Sequence, residues 1–254
     1  MIDCTTDRHV HTSFCHHATG TMAEYVESAI ELGLEGIVFL EHLEVGIDYF
    51  ESTWLTAEDF ARYWREGERL RQEYGEWLNI GLGVEVGYNP ERVAEIRDFL
   101  GRYPWDRVGI SYHYLAVAGR HYNLVSRKRD NLEVFGRLGV KPVLDAYFKG
   151  VLEAVELLPG TALCHLDAAL RHHSEVCFDA EHGAMIETIL GALAGKGMAL
   201  EVNTSGFPLR GGPYPDLAIL RRAAELGIRL EAGSDAHRPQ DVGRFFDRLP
   251  LLPL

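Results

Sequence analysis

Two kinds of segment alternate along the chain. Short continuous apolar runs, such as Gly36-Ile37-Val38-Phe39-Leu40 and Thr161-Ala162-Leu163-Cys164, are separated by longer amphipathic stretches. The apolar runs fit strands buried on both faces, and the amphipathic stretches fit helices that cover them. Strands are predicted for the opening segment, Gly36 to Leu40, Leu78 to Val86, Trp105 to Ile110, Thr161 to Cys164, Met198 to Val202 and Ile228 to Ala232. A first helix starts at Thr21, which has capping-box spacing to Glu24, and stops at Gly33. Further helices are expected over Thr56 to Tyr74, Pro90 to Leu100, Pro142 to Leu158, Ala180 to Gly195, Pro215 to Leu226 and Pro239 to Arg248. Ala116 to Arg137 reads as an irregular excursion with a helical part. Seven strands alternating with helices imply parallel strands joined by crossovers, in one domain over residues 1–254 without repeat or linker.

The polar residues refine that picture. His9 and His11, Glu41-His42, Glu85, His113, His165, Asn203, and Asp235 with His237 all stand at the carboxyl end of a predicted strand. Parallel α/β folds build their sites there. An open sheet would spread seven strand ends along a wide edge, whereas a closed barrel makes them converge. The pattern favours an α/β barrel, regular or distorted.

His9 and His11, at i and i+2 on an extended strand, point to the same side. One H-x-H pair is as compatible with ordinary polar residues as with a metal site. Seven of the twelve histidines (His9, His11, His17, His42, His113, His165 and His237) at or just after strand ends, joined by Glu85 and Asp235, change the balance. Buried imidazoles in that number need partners, and metal ions supply them. His and carboxylate ligands suit zinc, manganese or iron, with Cys15 and Cys164 read as packing residues. Nine candidate ligands exceed what one ion takes, so two or three clustered ions are implied. Such clusters activate water at neutral pH and stabilise displacement at phosphorus.

Charge and composition narrow the partners. The net charge is −13, and the longest basic cluster is Arg127-Lys128-Arg129, which disfavours nucleic acid. No apolar run approaches the ~20 residues needed to span a bilayer. No export signal is visible, and the four cysteines form no framework, so a reducing cytoplasm is the expected location. No sequence signature of an oligomeric state is present.

Taken together, H-x-H, the delayed His17, E-H, Glu85, S-Y-H, H-L-D and G-S-D-A-H resemble the polymerase-and-histidinol-phosphatase (PHP) superfamily in their order. His11-Thr12, Phe14-Cys15, Gly20-Thr21-Met22, Asn203-Thr204-Ser205-Gly206, Pro213-Tyr214-Pro215 and Ala236-His237-Arg238-Pro239 resemble its histidinol-phosphatase branch. The resemblance spans essentially the whole chain. It implies a distorted (β/α)7 barrel and a trinuclear site that hydrolyses L-histidinol phosphate, a small phosphate monoester, in histidine biosynthesis. It implies one ion on His9, His11, Glu85 and Asp235, and a second on Glu85, His113 and His165. A third would lie on His17, His42 and His237, with His17 rather than His16 matching the family spacing. By the same resemblance Arg171 and Arg210 are phosphate ligands. Asn203 and Ser205 contact substrate or form a turn. Asp167 and Glu41 lie in an outer shell. No general acid is assigned: Asp235, His237 or a metal-bound water could protonate the leaving alcohol. Two departures stand out: Glu41 where the family commonly has Asp, and Gly87 where it often has an acidic residue. The rival readings are a PHP-type phosphodiesterase or nuclease, and an inactive metal-binding accessory protein.

Overall fold

The structure, a computed structural model, describes residues 2–173 and 176–254. Its strands are β1 (Ile2–Asp3), β2 (Thr6–Val10), β3 (Gly36–Glu44), β4 (Asn79–Gly87), β5 (Arg107–Ser111), β6 (Tyr114–Val117), β7 (Arg120–Asn123), β8 (Ala162–Leu163), β9 (Ala199–Asn203) and β10 (Leu230–Gly233). The α-helices are α1 (Met22–Glu31), α2 (Ala57–Tyr74), α3 (Val93–Leu100), α4 (Arg129–Leu138), α5 (Val140–Leu157), α6 (Ala180–Lys196), α7 (Phe207–Arg210) and α8 (Leu217–Glu225).

Eight strands form one sheet in the order β1-β10-β9-β8-β5-β4-β3-β2, and every pairing in it is parallel. β1 and β2 are halves of one opening segment: β1 pairs with β10 and β2 with β3, while Val10 bridges to Ala236. Counted together they make seven strands, and the two ends of the sheet meet. The expected distorted (β/α)7 barrel is the fold observed. The distortion has local causes, a register shift between Asp7 and Val10 and a two-residue β8.

The helices begin where short-range chemistry dictates. Thr21 and Thr56 each cap a helix with reciprocal capping boxes to Glu24 and Asp59, an arrangement worth about 1 kcal/mol per cap. Burial is continuous along β5 and β9 and nearly so along β3 and β4, where Val38 and His42 are half-buried and Asn79 is exposed, as two-sided cover requires. No helix among the described residues is long and apolar enough to cross a membrane.

Four local expectations change. α3 starts at Val93 rather than Pro90, because the Asn89 side chain accepts the Glu91 N–H (3.1 Å) and turns the chain first. α8 starts after Asp216, whose carboxylate accepts from the N–H groups of Ala218 and Ile219, so Pro215 lies outside it. The stretch after Ala116 is ordered as the β6–β7 hairpin followed by α4. The predicted last helix is two 3-10 turns, Pro239–Asp241 and Phe246–Leu251, separated by left-handed backbone at Gly243 and Phe245. Asp7 pins that break by accepting the Gly243 N–H at 2.8 Å.

Candidate metal centre

All nine predicted ligands converge at the carboxyl ends of the barrel strands. His9 lies one residue before the end of β2, with His11 just beyond it, and their Nε2 atoms lie 2.9 Å apart. His42 and Glu85 are register partners on β3 and β4, with His42 Nδ1 2.8 Å from Glu85 Oε2. Glu85 Oε1 lies 2.8 Å from His165 Nε2 and 3.2 Å from His113 Nε2. Asp235 Oδ1 lies 3.5 Å from His11 Nε2 and 3.8 Å from His9 Nε2. His17 and His237 face each other with Nε2 atoms 2.8 Å apart. His165 and Asp235 hold left-handed backbone (φ 26° and 53°), an uncommon conformation for non-glycine residues that is concentrated at functional sites.

The ring orientations show that a cation fits. His17 Nδ1 donates to Cys15 O and His237 Nδ1 donates to Asp235 O, both at 3.0 Å. A carbonyl only accepts, so both Nδ1 atoms carry hydrogen, and in the neutral rings both facing Nε2 atoms present lone pairs. Two lone pairs at 2.8 Å repel unless a positive charge lies between or beside them. On the deeper side, Glu85 Oε2 is buried with no aligned hydrogen bond, although His42 Nδ1 lies 2.8 Å away, and a cation beside it would satisfy that oxygen. His11, His42 and His237 bring three ligand atoms within 4.8 Å of one another, as do His9, His11 and Asp235, and His42, Glu85 and His113. The site can therefore hold several ions, and His11 and His42 each belong to two groups, so the implied three-way partition is not unique in this geometry.

Two buried carboxylates unforeseen in the sequence hold the inner rings. Glu201 Oε1 lies 2.5 Å from His9 Nδ1, and its Oε2 accepts the His165 N–H at 2.9 Å. Glu44 Oε1 lies 2.8 Å from His113 Nδ1. Each fixes a ring so that its other nitrogen faces the site. Both left a signal: Glu201 interrupts an apolar run, and Glu44 follows His42 by two residues on the same strand. Glu44 also accounts for the departure at Gly87. The two are register partners, and a Cβ on Gly87 would lie 1.9 Å from Glu44 Oε2. The carboxylate missing at position 87 arrives from the next strand and occupies the space the glycine leaves.

Electrostatics divide the site. Burial alone would lower every ring. At His9 the charges of Glu201 and Glu85 overcome it and hold the ring well above its usual value. At His113 Glu85 and the Glu44 hydrogen bond do the same, to about 10. His11, His17, His42 and His237 go the other way, His17 to about 3, through burial and, apart from His42's closest neighbour Glu85, mutual repulsion. Asp235 and Glu85, although buried, are held well below the usual carboxylate range by the surrounding histidines.

Other predicted residues separate into those that reach the site and those that do not. His16 caps the Ser13–Cys15 turn and points outward, 3.8 Å from Asp59, whereas His17 turns inward. Glu41 accepts from the Thr12 N–H (2.8 Å) and hydroxyl (2.5 Å), which anchors the loop carrying His17. Asp167 does not orient His165. It accepts from Nη1 (2.8 Å) and Nη2 (3.1 Å) of Arg210 and from the Asp216 N–H. This corrects the expectation for Arg210 as well: with Asp167, Pro213 O and the Tyr214 ring taking up its guanidinium, it does not border the cavity over the site. Asn203 is buried and makes the turn, the second of its two expected roles, accepting from the Ser205 N–H (3.0 Å) and hydroxyl (2.5 Å). Ser205 Oγ lies 3.3 Å from Asp235. Arg171 borders the cavity, which measures about 100 Å3 and is also lined by Glu44, Thr53, Tyr114 and Asn123. Cys15 and Cys164 are buried free thiols, and each lies within 4.8 Å of two candidate ligand atoms.

This constellation has relatives. A family model described as the PHP domain matches residues 7–205. The chain is 33% identical to a probable histidinol-phosphatase of Deinococcus radiodurans, over 95% of this chain and 90% of that one. It is 30% identical to a histidinol-phosphatase of Bacillus subtilis, over 95% and 96% of the two chains. A solved histidinol phosphate phosphatase from Lactococcus lactis, complexed with zinc, L-histidinol and phosphate, shares the fold with a TM-score of 0.77 at 21% identity, covering 98% of this chain and 94% of that one. A converging nest of seven imidazoles and two carboxylates on a seven-stranded barrel, matched over nearly its whole length by these proteins, places the chain in the PHP family, on its histidinol-phosphatase branch.

Proposed function

We infer that the chain is a metal-dependent phosphomonoesterase that hydrolyses L-histidinol phosphate to L-histidinol and phosphate. The observation that carries this reading is the nest of seven histidines with Glu85 and Asp235, opening into a small cavity bordered by Arg171. His9, His11, His17, His42, Glu85, His113, His165, Asp235 and His237 would hold two or three divalent ions, zinc, manganese or iron. When bound, such ions supply Lewis-acid stabilisation of phosphoryl oxygens and acidify water.

The chain's own groups do the rest. Arg171 offers planar donors to the equatorial phosphoryl oxygens. Asp235, kept ionised by the histidines around it, accepts a proton from the attacking water. The bond from the water oxygen to phosphorus forms as the P–O bond to the alcohol breaks, and the proton taken up by Asp235 passes to the leaving oxygen. We assign residues 1–254 to one catalytic unit with a small-molecule substrate and no nucleic acid, in keeping with the net charge of −13. Four free cysteines fit a reducing cytoplasm.

The test compares turnover of histidinol phosphate, a generic monoester and a dinucleotide by metal-loaded protein, chelated protein, His113→Ala and Asp235→Asn. We expect histidinol phosphate to be preferred and each perturbation to cost at least about 100-fold. Full activity after chelation, or in either variant, sinks the mechanism. A preference for the dinucleotide makes the protein a diesterase, and metal binding without turnover makes it an accessory protein. Within the same series Arg171→Ala should raise KM, whereas Arg210→Ala should lower stability by about 3 kcal/mol, by stranding the buried Asp167, with less effect on KM.

A further inference from the structure

Outside the catalytic cavity lies a second chamber of about 430 Å3 that shares the walls Val125, Arg171, Asp235 and His237 with it. Its far side is formed by Arg127, Lys128, His172 and Arg244. The basic groups differ in how they are paired. Lys128 is bound to Glu51, and Arg244 to the carbonyls of Ser234 and Asp235 and, at 3.8 Å, to Asp241. Arg171 gives its Nε to Val125 O at 3.3 Å and lies 6.0 Å from the centre of the Tyr214 ring. Among the described residues no carboxylate lies within ion-pairing distance of Arg171 or Arg127. Both guanidinium charges reach the His172 ring, which is shifted below its usual value, first by burial and then by Arg171 and Arg127. In a chain of net charge −13, two guanidinium groups without a carboxylate partner among the described residues, beside a His172 ring shifted toward its neutral form, concentrate positive potential at the mouth.

We propose that this chamber is an anion antechamber in which Arg127, Arg171 and His172 hold a phosphate group outside the metal nest. Arg171, which borders both chambers, hands it across. The proposal rests on the phosphatase reading for its purpose, but its ligand chemistry, a phosphate dianion, is common to the incoming ester and the departing inorganic phosphate.

Arg127→Gln tests it, with Arg65→Gln, an exposed remote arginine, as the charge-matched control. At about 20 mM salt, where charges are screened over about 20 Å, kcat/KM should fall about three- to tenfold in Arg127→Gln, through KM. The gap should close at about 500 mM salt, and Arg127→Lys should recover most of the loss. Binding of inorganic phosphate to metal-loaded protein, followed by calorimetry, should weaken by a similar factor if the product also uses the chamber, and stay unchanged if only the ester does. Arg127→Gln matching Arg65→Gln in KM, salt response and phosphate affinity overturns the antechamber and leaves the phosphatase reading intact. Weakened phosphate binding in a protein that turns over no histidinol phosphate has the opposite meaning: the antechamber stands and the assigned substrate falls.

Discussion

The two sides of the metal nest are built from the same residue type and behave oppositely. On the inner side His9 and His113 each have a carboxylate behind the ring, Glu201 and Glu44, and Glu85 in front. On the outer side His17 and His237 are backed by backbone carbonyls and face each other. The inner rings therefore hold protons in the metal-free protein, and the outer rings are neutral lone-pair donors. A histidine's readiness for a metal is decided by what stands behind it, because a carboxylate stabilises the imidazolium and a carbonyl only fixes the tautomer.

The largest test of this contrast is Glu85→Gln against His17→Ala. Glu85 touches His42, His113 and His165, whereas His17 sits on the exposed rim. We expect Glu85→Gln to cost at least about 1000-fold in kcat/KM and at least one ion by elemental analysis, and His17→Ala to cost less of both. Equal losses would show that the nest is one cooperative unit rather than two sides.

Next come the groups behind the rings. Glu201→Gln and Glu44→Gln should each weaken metal binding about 10- to 100-fold, measured with a competing chelator. Gly87→Ala should resemble Glu44→Gln, because its Cβ occupies the position of the Glu44 carboxylate.

The smallest effect is a proton count. Glu85 and Glu44 push His113 up to about 10 in the metal-free protein, and Glu201 and Glu85 shift His9 in the same direction, so both inner rings favour the protonated form. Loading the metal-free protein should then release about two protons, read with a pH indicator in weak buffer. The outer rings, with lowered values, should release none. The sign for stability follows: the raised groups favour the metal-free fold below about pH 6.5, and that contribution is lost as pH rises through about 10. Release that disappears in His17→Ala but persists in His113→Ala would reverse the assignment.

How much of this was legible in the chain depends on how local the cause was. The capping box at Thr21 joins residues three apart and is legible in the chain. The β6–β7 hairpin did not, since its reciprocal bonds to Asp48 from His121 link segments 73 residues apart. The helix starts at Pro90 and Pro215 were misplaced because Asn89 and Asp216 supplied competing side-chain bonds one residue to either side.

The sequence by itself determined the alternation of buried strand and covering helix, the placement of nine ligand-type residues at strand ends, and the order of motifs that marks the family. Those follow from periodicity and residue chemistry, which are properties of the chain. Tertiary structure alone decided the pairings: Glu201 behind His9, Glu44 in the space left by Gly87, and Arg210 drawn to Asp167 instead of the cavity. Each joins groups on different strands or loops, and closure of the barrel is what brings them within hydrogen-bonding distance.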